Sequence, residues 1–144
     1  MLVQSMLKGK ATDEVVTVAP GSSVAEAAAL LSRRRIGAVI VSPDGRRVAG
    51  ILSERDIVRE LGARGPACMS DTVDRIMTRE IVGCRRDDTA EAVMAKMTEG
   101  RFRHMPVMEG DEMVGLISIG DVVKARLTAL EHENQALADY ISGR

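Results

Sequence analysis

Two serine–aspartate pairs at one spacing are the residues best placed to do chemistry: Ser53 with Asp56, and Ser118 with Asp121. Each pair follows an apolar run and opens a helical pattern, in Gly50-Ile-Leu-Ser53-Glu-Arg-Asp56 and Gly115-Leu-Ile-Ser118-Ile-Gly-Asp121. A helix start carries free N–H groups and a positive dipole end, which suits a phosphate. A serine there can donate its hydroxyl. A carboxylate one turn in can accept from both hydroxyls of a sugar, each bond charge-assisted. The same spacing is also a capping box, which needs no ligand, and the pair taken alone favours that reading. A basic cluster, Arg101, Arg103 and His104, leans toward an anion, and a solvated strand edge is the alternative. The chain has no HExxH, GxSxG, GxxxxGK[ST] or GxGxxG pattern, so no catalytic residue is expected. His, Cys and carboxylates are not clustered, so no metal site is expected either.

The elements that must position these residues come in two copies. Val24-Ala-Glu26-Ala returns as Thr89-Ala-Glu91-Ala, and Asp56 returns as Asp121, both at an offset of 65. Between these blocks Arg35-Ile-Gly-Ala-Val-Ile-Val41 faces Arg101-Phe-Arg-His-Met-Pro-Val107 at an offset of 66. Each copy reads as strand, helix, strand, strand, helix. In the first copy, Val15–Val18 is a β-branched strand ended by Pro20-Gly21. Ser23 with Glu26 starts a helix, and Asp88 with Glu91 is expected to do so in the second copy. Ala38–Val41 is a buried strand by its unbroken apolar run, and Pro43-Asp-Gly45 turns it into a return strand, 48–52. The first repeat with its N-terminal segment is expected over 1–65, a linker and a helical turn over 66–78, and the second repeat over 79–144. The last helix should run from Ser118 to about Tyr140. Val123, Leu127, Leu130, Asn134, Leu137 and Ile141 form a heptad seam on it, with one polar position. That seam is either a dimer contact or a face folded back on its own domain.

The doubled pattern, above all Gly-h-h-Ser-x-x-Asp-h-h after a strand (h being apolar), resembles the cystathionine β-synthase (CBS) domain. Asp74-Arg-Ile-Met-Thr78 and Arg103-His-Met-Pro-Val107 add to the likeness. The resemblance spans nearly the whole chain and is greatest to small stand-alone bacterial pairs of such domains. It implies an α/β (α+β) fold: a tandem CBS pair, two β-α-β-β-α repeats related by a pseudo-two-fold, with a long C-terminal helix. It also implies an adenosine-containing ligand in the cleft between the repeats: AMP first, with ATP, NAD(H) or S-adenosylmethionine as alternatives. By position, Ser53, Asp56, Ser118 and Asp121 would contact ribose and phosphate, with Arg55, Ile119 and Gly120 beside them. Val16, Thr17 and Val18, and Val82 to Cys84, would wall the adenine. Arg101, Arg103 and His104 would reach phosphate beside Met105 and Pro106, where the first repeat has Gly37 and Ala38. The two sites should therefore differ.

Composition bounds the rest. With 144 residues, 45% apolar, a core of ordinary size is affordable. Twenty basic residues against 21 acidic give a net charge of −1, which excludes a nucleic-acid binder driven by bulk charge. No apolar run approaches the length of a membrane span, and Met1–Lys10 has no signal-peptide pattern. Cys68 and Cys84 suit a reducing cytoplasm. With no Trp, one Tyr and one Phe, a planar ligand must be held by aliphatic side chains. The expectation is a non-enzymatic, homodimeric regulatory sensor acting on an unidentified protein. A protein-interaction scaffold with a vestigial nucleotide cleft is the alternative.

Overall fold

Short β-branched runs cut by Pro–Gly and Pro-Asp-Gly turns make short strands. The amphipathic stretches between them make helices of 11 residues, each begun by a side-chain oxygen. The computed structural model describes residues 1–10 and 14–143. In order, the elements are α1 (Val3–Lys8), β1 (Thr17–Val18), α2 (Val24–Arg34), β2 (Ala38–Val41), β3 (Gly50–Ser53) and α3 (Glu54–Arg64). A 3-10 turn, Pro66–Ser70, leads to α4 (Val73–Ile76), α5 (Ala90–Gly100), β4 (His104–Glu109), β5 (Glu112–Ser118) and α6 (Ile119–Ile141).

Contacts sort the described residues into two compact units that are not two contiguous halves. The first holds 14–82 and 109–114; the second holds 1–10, 83–108 and 115–143. In the first unit β1 runs parallel to β2, pairing Thr17 with Ile40 and Val18 with Val41. β2 runs antiparallel to β3, from Ala38 opposite Ser53 to Val41 opposite Gly50. All four β2 residues are buried, as their unbroken apolar run requires. Val24 and Leu31 of α2, Ile57 of α3, and Val73 and Ile76 of α4 close over that sheet. Residues 109–114 join here through the Met113 N–H, which donates to Arg46 O at 2.7 Å.

In the second unit the leading strand shrinks to one parallel bridge, Cys84 with Val107. Only Ile81 and Val82 are apolar before Gly83, and Arg85-Arg86 follow, too few strand formers for a ladder. The sheet is therefore β4 with β5. Val93 and Met97 of α5, Met105 and Val107 of β4, Ile117 of β5, Val122 and Ala125 of α6, and Val3 and Met6 of α1 are among its buried side chains.

The two short helices cross between repeats. α4 precedes the second repeat in sequence yet packs on the first. Thr72 bridges Ser23, Val24 N–H donates to Asp71 O (2.8 Å), and Val73 N–H donates to Ser22 O (2.8 Å). α1 precedes the first repeat yet packs on the second, by the equivalent bonds. Leu2 bridges Thr89, Ala90 N–H donates to Met1 O (2.9 Å), and Val3 N–H donates to Asp88 O (2.9 Å). The N-terminal segment thus groups with the repeat opposite to the one that sequence order suggests. The repeated glycines make room for these lead-ins. A Cβ at Gly50 would run into Met77 Sδ and come within 3.0 Å of Thr78 O; one at Gly115 would meet Leu7 Cδ2 at 2.7 Å.

Candidate functional site

Both serine–aspartate pairs form complete capping boxes. At α3, Ser53 Oγ accepts from Asp56 N–H (3.2 Å), while Asp56 Oδ2 accepts from Ser53 N–H (2.9 Å) and Ser53 Oγ–H (3.0 Å). At α6, Ser118 Oγ accepts from Asp121 N–H (3.2 Å), and Asp121 Oδ2 accepts from Ser118 N–H (2.9 Å). The residue before β2, and the one before β4, also meets the helix start in the same way. Glu54 N–H donates to Gly37 O (2.9 Å) in the first repeat, and Ile119 N–H donates to Arg103 O (2.8 Å) in the second. The backbones of Gly37 and Arg103 are therefore brought to the boxes.

The carboxylates differ in what else they hold. Asp56 is 7% exposed, and its Oδ1 takes Arg59 Nη2–H at 2.9 Å. Asp121 takes a second bond on Oδ2, from the Lys10 ammonium at 2.9 Å; Lys10 also donates to Leu116 O at 2.8 Å. No hydrogen bond from another described residue falls on Asp121 Oδ1. Burial raises the Asp121 pKa, but the Ser118 N–H and the Lys10 ammonium outweigh it and hold the carboxyl below its ordinary value. Beside this pair a cleft of about 280 Å³ opens between α1 and α6, lined by Ser5, Met6, Lys10, Asp121, Lys124 and Thr128 among others.

The other expected residues are placed as follows. Val16, Thr17 and Val18 are half-buried, and Val16 O accepts from Ile40 N–H (3.1 Å), so the pairing starts one residue before β1. Ala38 is buried, while Arg55 and Gly120 are exposed beside their serines and Ile119 is half-buried. Val82 is exposed. Cys84 is buried, its N–H donates to Pro106 O (3.0 Å), and burial, with Asp88 nearby, pushes its thiol up to about 11. A buried thiol held that high carries little thiolate at neutral pH. Met105 and Pro106 are buried, His104 is half-buried, and Arg103 is exposed. Arg101 is the left-handed C-cap of α5 at φ 56°, as Arg35 is for α2 at φ 54°. It has a backbone role whatever its side chain does. Sequence reasoning alone does not single out Lys10 or Lys124, which line the cleft between α1 and α6. Lys124 stands three residues after Asp121 as Arg59 does after Asp56, a signal available in the repeat alignment. Lys10 had a weaker one: Val3, Met6 and Leu7 are spaced as a helix that ends just before it.

Comparison with known proteins bears on the family. A sequence profile described as the CBS domain matches residues 7–63 and 73–128. The chain is 33% identical over 141 residues to the mitochondrial CBS domain-containing protein CBSX3 of Arabidopsis thaliana, covering 94% of this chain and 68% of that protein. Against another Arabidopsis relative, CBSCBSPB2, it spans 25% of the length at 28% identity. Among solved structures, a CBS-domain containing protein of Agrobacterium tumefaciens superposes with a TM-score of 0.82 at 44% identity, covering 87% of this chain and 92% of that one. A protein with CBS domains from Burkholderia ambifaria gives 0.83 at 35%, covering 89% and 95%. Two more distant neighbours contain ligands. One is a Pyrobaculum aerophilum CBS domain protein complexed with AMP, with a TM-score of 0.73 at 22% identity, covering 84% and 89%. The other is the MJ0100 CBS pair with 5′-methylthioadenosine and S-adenosylmethionine, 0.76 at 23%, covering 91% and 98%. At those identities the likeness is one of fold.

Proposed function

The chain belongs to the CBS-domain family as a tandem pair, and from that premise we propose that it is a regulatory module that binds an adenosine nucleotide. AMP is the first candidate, with ATP and NAD(H) behind it. Binding would change the conformation presented to a regulated protein. The module is read as non-catalytic, homodimeric and cytoplasmic. The carrying observation is that one helix-start box occurs twice, with a carboxylate and a serine at the same place, and that among the described residues the donors to Asp121 fall on Oδ2, which leaves Oδ1 available to a sugar hydroxyl. The ligands of the distant neighbours agree with that chemistry.

Titration calorimetry with AMP, ATP and NAD(H) tests it, on the wild type and on Asp56→Ala and Asp121→Ala. Asp121→Ala should weaken one class of site by about 1.5–3 kcal/mol, the worth of a charge-assisted hydrogen bond. Asp56→Ala should have the smaller effect, because Arg59 already holds its second oxygen. Both changes also remove a helix cap, worth ~1 kcal/mol, so melting temperature is measured alongside. Normal binding with lowered stability in both variants would make these residues caps alone. A scaffold without a nucleotide is the second reading, and the closure of both boxes on themselves favours it. No nucleotide binding by the wild type would select that reading.

A further inference from the structure

The cleft between α1 and α6 carries two ammonium groups, Lys10 and Lys124, against the single carboxylate of Asp121. Their polar neighbours are the hydroxyls of Ser5 and Thr128, and Met6 with Ala125 supplies an apolar floor. An ammonium has three donors. Two of those on Lys10 go to Leu116 O and Asp121 Oδ2, which leaves one for an incoming anion. The first repeat lacks this arrangement. Arg59 stands at the position of Lys124, but the lead-in alignment that matches Thr72 to Leu2 matches Glu80 to Lys10. Each carboxylate thus holds one cation, Arg59 on Asp56 and Lys10 on Asp121, and Asp121 has a further lysine, Lys124, lining the cleft beside it.

We propose that this cleft is the phosphate arm of the Asp121 site. Asp121 Oδ1 takes a sugar hydroxyl, and Lys10 with Lys124 takes a phosphate monoester on the same sugar. The inference rests on the proposed reading of Asp121 as a sugar-binding carboxylate. It adds that this site selects a phosphorylated nucleoside over the nucleoside, by means of a lysine that follows α1 and precedes β1. A volume of about 280 Å³ lies at the small end of ligand pockets, which suits a sugar phosphate and not a dinucleotide.

Calorimetry with AMP, adenosine and ribose 5-phosphate on the wild type, Lys10→Gln and Lys124→Gln decides it. The wild type should bind AMP more tightly than adenosine. Each variant should lose about tenfold or more in AMP affinity, the scale of one charge-assisted bond, and keep its adenosine affinity. Ribose 5-phosphate, which carries both recognised groups, should bind the wild type and be weakened by both changes. The class of site lost should be the one that Asp121→Ala removes. Lys124 is exposed and makes no hydrogen bond with another described residue, so its replacement reports binding even where Lys10→Gln disturbs α1. AMP binding unchanged in both variants overturns the phosphate arm and leaves the nucleotide reading standing. Equal loss of AMP and adenosine overturns it as well, because the lysines would then support only the fold. A wild type that binds neither ligand overturns both readings together.

Discussion

At Asp121 burial works against ionisation and is outweighed. Its carboxyl titrates below the ordinary 3.8 because the Ser118 N–H and Lys10 stabilise the charged form. A folded-state pKa below the unfolded one gives stability that is present above 3.8 and is lost as pH falls through the folded value. Asp121→Asn should therefore melt below the wild type at neutral pH, and the gap should close on the acid side of 3.8. A gap constant with pH, followed by calorimetry, would mean that charge at this position does not matter. Arg101 gives a second test. L-residues at positive φ cost roughly 1–2 kcal/mol, which glycine avoids at some cost in chain entropy. Arg101→Gly should leave stability unchanged or raise it by up to ~1 kcal/mol, and leave AMP binding intact if the residue is only a cap. The serine–aspartate pairs were legible in the sequence because their partners lie three residues away. The Lys10–Asp121 pair was not, because 111 residues separate the two and only the fold brings them together.

The elements of the repeat were legible wherever local chemistry sets them. The buried strand Ala38–Val41, the turn at Pro43-Asp-Gly45 and the start of α2 at Ser23 follow from pattern and cap. In the second repeat the start was expected at Asp88 and lies at Thr89, whose Oγ1 accepts from Ala92 N–H (3.1 Å). Asp88 instead closes the preceding turn by accepting from Arg85 N–H (2.8 Å). Either side chain can cap, and the backbone bond from α1 to Asp88 O settles the register, which no local window contains. The crossing of α1 and α4 was hidden for the same reason. It makes the two repeated glycines unequal. At Gly50 a new methyl meets a backbone oxygen at 3.0 Å as well as Met77, whereas at Gly115 it meets only the flexible end of Leu7. Gly50→Ala should cost about 1–3 kcal/mol in chemical denaturation, the usual range for overpacking, and Gly115→Ala less. The reverse order would place α1 under tighter constraint than the segment after α4.

At the scale of the whole molecule, α6 outruns its unit. Val122 and Ala125 are buried, yet every residue from 130 to 138 is exposed, and Leu127, Leu130, Leu137 and Ile141 face solvent on one seam. The seam is therefore not folded back on the chain's own domain. Burying it against a second copy is the favourable term at hand, so a two-fold homodimer is expected. Leu130→Asp should shift light scattering toward monomer. Asn134→Leu should strengthen the assembly or broaden its oligomer distribution, since a polar seam residue trades stability for register. A dimer indifferent to both changes would have its contact elsewhere. Among the described residues no helix is long and apolar enough to cross a membrane, so this apolar stripe is not a span. The crossed lead-ins also set a timetable. Most of the first unit is one continuous stretch, 14–82, and can collapse once that stretch has left the ribosome. α1 is made before it but docks on residues 86–90. Those emerge roughly 80 residues later, a wait of roughly 4–16 s at about 5–20 residues per second. For that time Val3, Met6 and Leu7 are an apolar tag without a seat, open to chaperones, and a helix made before the first unit docks after that unit can form.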